Sequence, residues 1–371
     1  MNNLHGVIFA YRANPDLREL TLHRNTSSVP YGGRYRLIDF MLSNMMNAGV
    51  DDVGLIVHAS YQSLLDHVGS GKDWDLSRKR GGLRILPPFG YAGKRGDGIY
   101  HGRMDALTGV YSYLKKIRQD YVVLANGDMA LNLPLAEVYE QHLKSGADIT
   151  AVCTRQMRGY PRSTVYFTMN QRGLVTDVSA CPFVAMGCES LEIYMLSKEL
   201  LLSLVDYAAA HGISSFSEGV LSPMAGTLKI SPWFFDGYVA RVQTLGGYYA
   251  RNMELLDPAV RADLFNPSRP VRTKDRSDPS TYYGPSSRSA TSLVADGCIV
   301  DGEVENSILF RGVRVEKGTR VSNCILMQST VIREGGTLKY AISDKNVVVN
   351  PGRMLMGHET YPLAIAKNAV I

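Results

Sequence analysis

Two patterns of apolar residues alternate along the first two-thirds of the chain. Short consecutive runs predict buried strands over Leu4–Ala10, Val53–Val57, Tyr121–Ala125 and Ile149–Thr154. Between them, apolar positions recur at helical spacing. Leu37, Phe40, Met41, Met45 and Ala48 make one such stripe, closed by Gly49 as a left-handed cap. Ser60 is the expected cap of a short helix through Val68, and a single helix is expected over Met104–Ile117. Pro134 opens a helix that closes near Gly146, and Ser197 caps a stripe of Leu200, Leu201, Leu204, Val205 and Ala208 that stops at Gly212. Strand–helix alternation predicts an α/β domain with a doubly wound parallel sheet, covered by helices on both faces. Ligands of such sheets bind beyond the carboxyl ends of the strands.

From Asn266 the pattern dissolves. Pro267, Pro270, Pro279 and Pro285 sit among Ser, Arg and Asp, which predicts a linker over 266–292. Arg269, Arg272, Lys274 and Arg276 in this stretch suit an anionic effector or a solvated connector. Beyond it apolar residues recur every six positions: Val294 and Val300; Leu309, Val315 and Val321; Leu326, Ile332 and Leu338; Ile342, Val348 and Met354. Gly297, Gly302, Gly312, Gly318, Gly335 and Gly352 punctuate the turns. A six-residue period predicts a β-helix, in which stacked coils bury what no single coil could. The expected domains are therefore 1–265, α/β, and 293–371, β-helix.

Composition narrows the field. With 40 Lys and Arg against 35 Asp and Glu, the net charge of +5 is too small to imply nucleic acid by itself. No apolar run approaches the roughly 20 residues of a membrane span. The short run Val7–Ala10 lacks the basic leader of a signal peptide. Five cysteines (Cys153, Cys181, Cys188, Cys298, Cys324) without CxxC spacing read as buried thiols in a reducing cytoplasm, not as disulfides or a zinc site.

The segment Ser28-Val29-Pro30-Tyr31-Gly32-Gly33-Arg34-Tyr35-Arg36-Leu37-Ile38-Asp39-Phe40 lies between the first strand and the first long helix. Gly32 and Gly33 would let the backbone approach a ligand, and Arg34 and Arg36 would supply charge for phosphate. A purely structural turn, with Asp39 pairing Arg36, reads equally from these residues.

The string from Val29 through Asn44, followed by Met46-Asn47-Ala48-Gly49-Val50-Asp51-Asp52-Val53-Gly54-Leu55-Ile56-Val57-His58, resembles the N-terminal signature of the bacterial glucose-1-phosphate adenylyltransferases, or ADP-glucose pyrophosphorylases. Tyr100-His101-Gly102-Arg103-Met104-Asp105-Ala106 and Leu124-Ala125-Asn126-Gly127-Asp128 match further along. The resemblance spans essentially the whole chain and implies that the coil is a left-handed β-helix. It also implies a chemistry: an oxygen of glucose 1-phosphate attacks the α-phosphate of ATP, with Mg²⁺ and protein cations neutralising the crowded charge. The implied substrate-binding residues are Gly32, Gly33, Gly102, Asp105 and Gly127. Asp128 is the implied metal carboxylate and catalytic remnant. Asp105 reads equally as a helix cap, and Arg12, Arg34 and Arg36 are candidates for a retained phosphate or effector.

Most of the family's devices are altered here. Its glycine-rich loop, A-G-G-x-G-x-R-L, corresponds to Ala10-Tyr11-Arg12-Ala13-Asn14-Pro15-Asp16-Leu17, with no glycine and with a proline that removes a donor. The lysine of Ala-Lys-Pro-Ala-Val-Pro is absent from Thr26-Ser27-Ser28-Val29-Pro30. The second metal aspartate aligns with Arg241 in Gly237-Tyr238-Val239-Ala240-Arg241, and a guanidinium repels Mg²⁺. The sugar-phosphate motif E-E-K-P aligns with Ser179-Ala180-Cys181-Pro182, without its Glu or Lys. Losing one such group costs about 10²–10³ in rate. The pattern resembles the D-type regulatory subunit of Gram-positive glycogen synthesis. The expected partner is a catalytic homologue in a hetero-oligomer, as in the family's tetramers, with ATP, glucose 1-phosphate or a phosphorylated effector as candidate ligands. The alternatives are an adenylyltransferase active in its own right and a free-standing sensor. An acyltransferase, a common user of such coils, has no candidate catalytic histidine in the coil, His358 lying near the terminus.

Overall fold

The computed structural model describes residues 3–12, 14–58, 60–88, 100–156, 164–180, 182 and 187–371. Cys181 of the sugar-phosphate motif and Ala13 of the altered loop lie outside them.

Nine strands build the main sheet: β1 (Leu4–Ala10), β2 (Asp52–Val57), β3 (Gly82–Leu86), β4 (Tyr121–Asn126), β5 (Ile149–Thr154), β6 (Val165–Met169), β7 (Val175–Ala180), β8 (Cys188–Ser197) and β9 (Ile230–Phe234). Their order is β7-β6-β8-β4-β1-β2-β3, with β5 between β8 and β9. β1 pairs in parallel with β2 and β4, and β2 with β3. The sheet is not parallel throughout, however. β8 runs antiparallel to β4, β5 and β6. No described helix separates β6, β7 and β8, and parallel neighbours need a crossover of a dozen residues or more.

The helices include α1 (Leu37–Asn47), α2 (Gln62–Val68), α3 (Arg103–Gly109), α4 (Tyr111–Lys116), α5 (Leu135–Ser145) and α6 (Lys198–His211). Two local expectations are corrected. The stretch Met104–Ile117 is broken at Val110, whose φ of −108° and ψ of 17° leave the helical region. Ser60 does not cap α2, because its backbone is left-handed and Tyr61 takes the cap position. Ser197 caps α6 as expected, its hydroxyl accepting from the Leu200 amide at 3.1 Å.

Three five-stranded parallel sheets close the second domain into a left-handed parallel β-helix. Val300, Val315, Ile332 and Val349 stack along one inner wall, and Val304, Val321, Leu338 and Leu355 along a second. The six-residue frame is correct through Leu338 and then slips by one. Ser343, Val349 and Leu355 carry the inward register, while Met354 is exposed and Val348 half-buried. Buried Ser343 satisfies its hydroxyl on Thr330 at 2.9 Å, so a polar residue holds an inward place where an apolar one was expected. The first coil also begins earlier than expected. Tyr282–Tyr283 and Arg288–Ala290, inside the stretch read as linker, already pair with coil strands.

The two domains share one apolar core. Tyr31, Phe40, Tyr248 and Leu255 from the first meet Ile308, Phe310, Ile325 and Met327 from the second. A buried ion pair, Arg24 to Asp344 at 2.9 Å, crosses the same boundary.

Candidate functional site

The carboxyl edge of the parallel strands carries the altered cleft. Arg12 follows β1, Asn126 ends β4, and Asp128 lies two residues beyond it. Glu192 projects from β8, Arg103 from the first turn of α3, and Arg241 from the short strand Val239–Arg241. The register of β8 against β5 shifts between Ser190 and Ile193, a bulge that leaves Glu192 with a φ of 55°.

Glu192 and the three arginines form one ion-pair network. The Glu192 carboxylate accepts from Arg103 at 2.9 Å, with Arg241 at 3.6 Å, Arg12 at 3.7 Å and the Asn126 amide at 3.5 Å. Arg241 also pairs with buried Glu189 at 3.1 Å and donates to the Ser190 carbonyl at 2.7 Å. The Arg103 guanidinium packs on the rings of Phe9 and Tyr194. Burial alone would raise the Glu192 carboxyl, but Arg103, Arg12 and Arg241 outweigh it and hold it down at about 2. Asp128 is pushed the other way, raised by burial, with Arg12 only partly opposing.

The residues present do not fit Mg²⁺. Mg²⁺ at such a site is held by one or two carboxylates together with substrate phosphates, and of the expected pair only Asp128 is a carboxylate here. The position expected to hold the second carboxylate holds a guanidinium clamped between Glu189 and Glu192. The altered loop is likewise filled: Pro15–Thr21 winds into a 3₁₀ turn capped by Asn14. From this turn Arg18 reaches the hydroxyl of Tyr361 at 2.7 Å, across to the β-helix.

The glycines expected to bind substrate hold close packing. Gly32 and Gly33 form the left-handed turn of a hairpin, Pro30–Tyr31 against Tyr35–Arg36. The Gly32 amide donates to Asn252, and a Cβ on Gly33 would face Ile308 of the coil. A Cβ on Gly102 would stand 2.2 Å from the Ser214 carbonyl, and one on Gly127 2.6 Å from Ile38. Asp105 accepts from the His101 amide at 3.1 Å, just ahead of α3, whose N-cap is Gly102.

Arg34 and Arg36 lie elsewhere, in a cleft between the domains. Lys274, Arg276, Arg311 and Lys345 also line it. Arg36 donates to Ser63 at 2.9 Å, and burial and neighbouring Arg24 and Arg276 push it down to about 10. Burial, then Arg36 and Arg24, push the Lys345 ammonium down to about 7. Buried Arg311 pairs through Nε with Asp278 at 3.6 Å, and one of its terminal nitrogens has no hydrogen-bond partner. Six basic side chains line this one cleft, a chemistry suited to a multiply charged anion.

Arg12 therefore separates from Arg34 and Arg36, with which the sequence reading grouped it. Glu189, Glu192, Arg311 and Lys345 were not foreseen. One signal for Glu192 was available: a lone carboxylate in the apolar run Leu191–Leu196 has to find a partner.

Residues 15–213 match the nucleotidyl transferase family, and residues 281–360 match the GlmU-like C-terminal hexapeptide family. Over 370 residues the chain is 35% identical to the glycogen biosynthesis protein GlgD of Bacillus subtilis (strain 168), covering 100% of this chain and 97% of that protein. The GlgD protein of Geobacillus stearothermophilus is 35% identical over 322 residues, 86% of this chain and 83% of that one. The glucose-1-phosphate adenylyltransferase of the same organism is 34% identical over 312 residues, 82% and 79% of the two chains.

Proposed function

Because the chain belongs to the bacterial glucose-1-phosphate adenylyltransferase family of nucleotidyl transferases, we propose that it acts in glycogen biosynthesis as a regulatory subunit with little or no turnover of its own. The observation that carries this reading is the guanidinium of Arg241 in the place of a metal carboxylate, locked to Glu189 and Glu192. A cleft with Asp128 but without the second carboxylate is poorly equipped to neutralise a triphosphate through Mg²⁺.

Regulation then works by contact. The partner is a catalytic homologue, assembled with this chain in a hetero-oligomer. A subunit that binds the active conformer of its neighbour more tightly raises activity without supplying chemistry. The cationic interdomain cleft suits a phosphorylated effector. Arg34 and Arg36 reach it from the α/β domain, Arg311 and Lys345 from the coil, so an anion there would clamp one domain onto the other.

The test measures ADP-glucose formation from ATP, glucose 1-phosphate and Mg²⁺ by a catalytic homologue, with and without this chain, across inorganic phosphate concentrations. The chain is expected to change the partner's activity or its phosphate response. The chain alone is expected to fall well below the ordinary enzyme range of about 1–10³ s⁻¹. Turnover by the isolated chain within about tenfold of that range would establish the rival reading, an autonomous adenylyltransferase.

A further inference from the structure

Glu192 occupies a position that its backbone resists. Its φ of 55° lies in the left-handed region, where glycine sits without strain and a residue with a Cβ does not. The bulge between Ser190 and Ile193 turns its side chain into the cleft, where it is only 6% exposed. Strained residues persist where the surroundings over-determine them, and here the surroundings are three guanidinium groups.

All three converge on the Glu192 carboxylate, while Glu189 holds Arg241 from its other side at 3.1 Å. Arg103, Arg241 and Arg12 approach Glu192 at 2.9, 3.6 and 3.7 Å. The Arg103 Nε donor still has no hydrogen-bond partner, although Arg103 is 4% exposed. Arg12 is exposed, so the cluster opens to solvent at one end. A fork of arginines with a spare donor and a solvent mouth is a cradle for an anion larger than one carboxylate.

We propose that Glu192 is an internal plug: its carboxylate fills a three-arginine cradle that would otherwise grip an oligophosphate, and so keeps such anions out of this cleft. The plug is separate from the interdomain site, and its test does not read stimulation of a partner. Its failure therefore leaves the regulatory reading standing, and the reverse also holds.

The probe is inorganic pyrophosphate without divalent metal, titrated calorimetrically into the full chain. Glu192→Gly removes the carboxylate and relieves the backbone. Glu192→Asp retracts it by one methylene and keeps the charge balance, so a folded variant is available even if the glycine variant is not. A plug seated nine-tenths of the time or more weakens apparent affinity at least about tenfold. Pyrophosphate is accordingly expected to bind E192G about tenfold or more tightly than wild type, and E192D to an intermediate degree. Adding Arg103→Gln is expected to abolish the gain, and adding Arg311→Gln in the interdomain cleft to leave it intact. Folded E192G or E192D with no gain would overturn the proposal. So would a gain that survives R103Q or disappears with R311Q.

Discussion

Lys345 offers the sharpest check on the interdomain cleft. Its ammonium is pushed from the ordinary 10.5 down to about 7, by burial first and then by Arg36 and Arg24. A bound dianion would reverse the Coulomb part of that penalty and draw the proton back. Sulfate is the right probe because it does not titrate in this range. If only charged Lys345 grips it, the charged fraction falls from about a quarter at pH 7.5 to about a hundredth at pH 9, so affinity drops about 25-fold. The same lysine shapes stability without ligand. Below pH 7 it is charged in both the folded and the unfolded chain, and the full cost of burying that charge is present. Between pH 7 and 10.5 the unfolded chain holds the extra proton, so folded stability rises with pH through this window. Calorimetric titration of sulfate from pH 7.5 to 9 reads the first effect. Lys345→Arg, which stays charged, is expected to bind tightly with no pH dependence over this window, and Lys345→Met weakly with none. A wild-type affinity that does not fall, or an equal fall in K345R, refutes the reasoning.

Three further outcomes concern stability. Arg24→Met strands the buried Asp344 carboxylate and is expected to cost about 3–5 kcal/mol in urea unfolding; the double variant R24M/D344N should recover much of that loss, and no recovery would show the pair is not the cause. Leu338→Ala opens a cavity in the inner wall of the coil and should cost about 2–5 kcal/mol; a loss below 1 kcal/mol would mean the coil collapses around the gap. Gly102→Ala drives a methyl group to 2.2 Å from the Ser214 carbonyl and should cost about 1–3 kcal/mol by thermal unfolding, whereas a change within experimental error would show that the 214 loop yields.

Much of this protein was written in local pattern. The runs Leu4–Ala10 and Ile149–Thr154, the cap at Ser197 and the six-residue frame from Leu309 to Leu338 each follow from the periodicity of a few neighbouring residues. Local rules decided them because strand burial, helix capping and coil stacking depend on spacing along the chain. The alteration of the cleft was also visible, since Arg241 and Pro15 contradict the pattern that surrounds them.

What spacing could not supply was convergence. Arg12 and Arg34 look alike as residues, yet one faces Glu192 and the other lines a cleft 100 positions or more from its coil partners Arg311 and Lys345 in sequence. Gly32, Gly102 and Gly127 look like ligand-contacting glycines from the sequence, and a Cβ on each would also press on a neighbouring segment that folding brings against it. Charge acts through space and falls off with distance and burial. Which arginine meets which carboxylate was therefore settled only when the bulge in β8, the turn after β1 and the docking of the coil placed them within a few ångströms of each other.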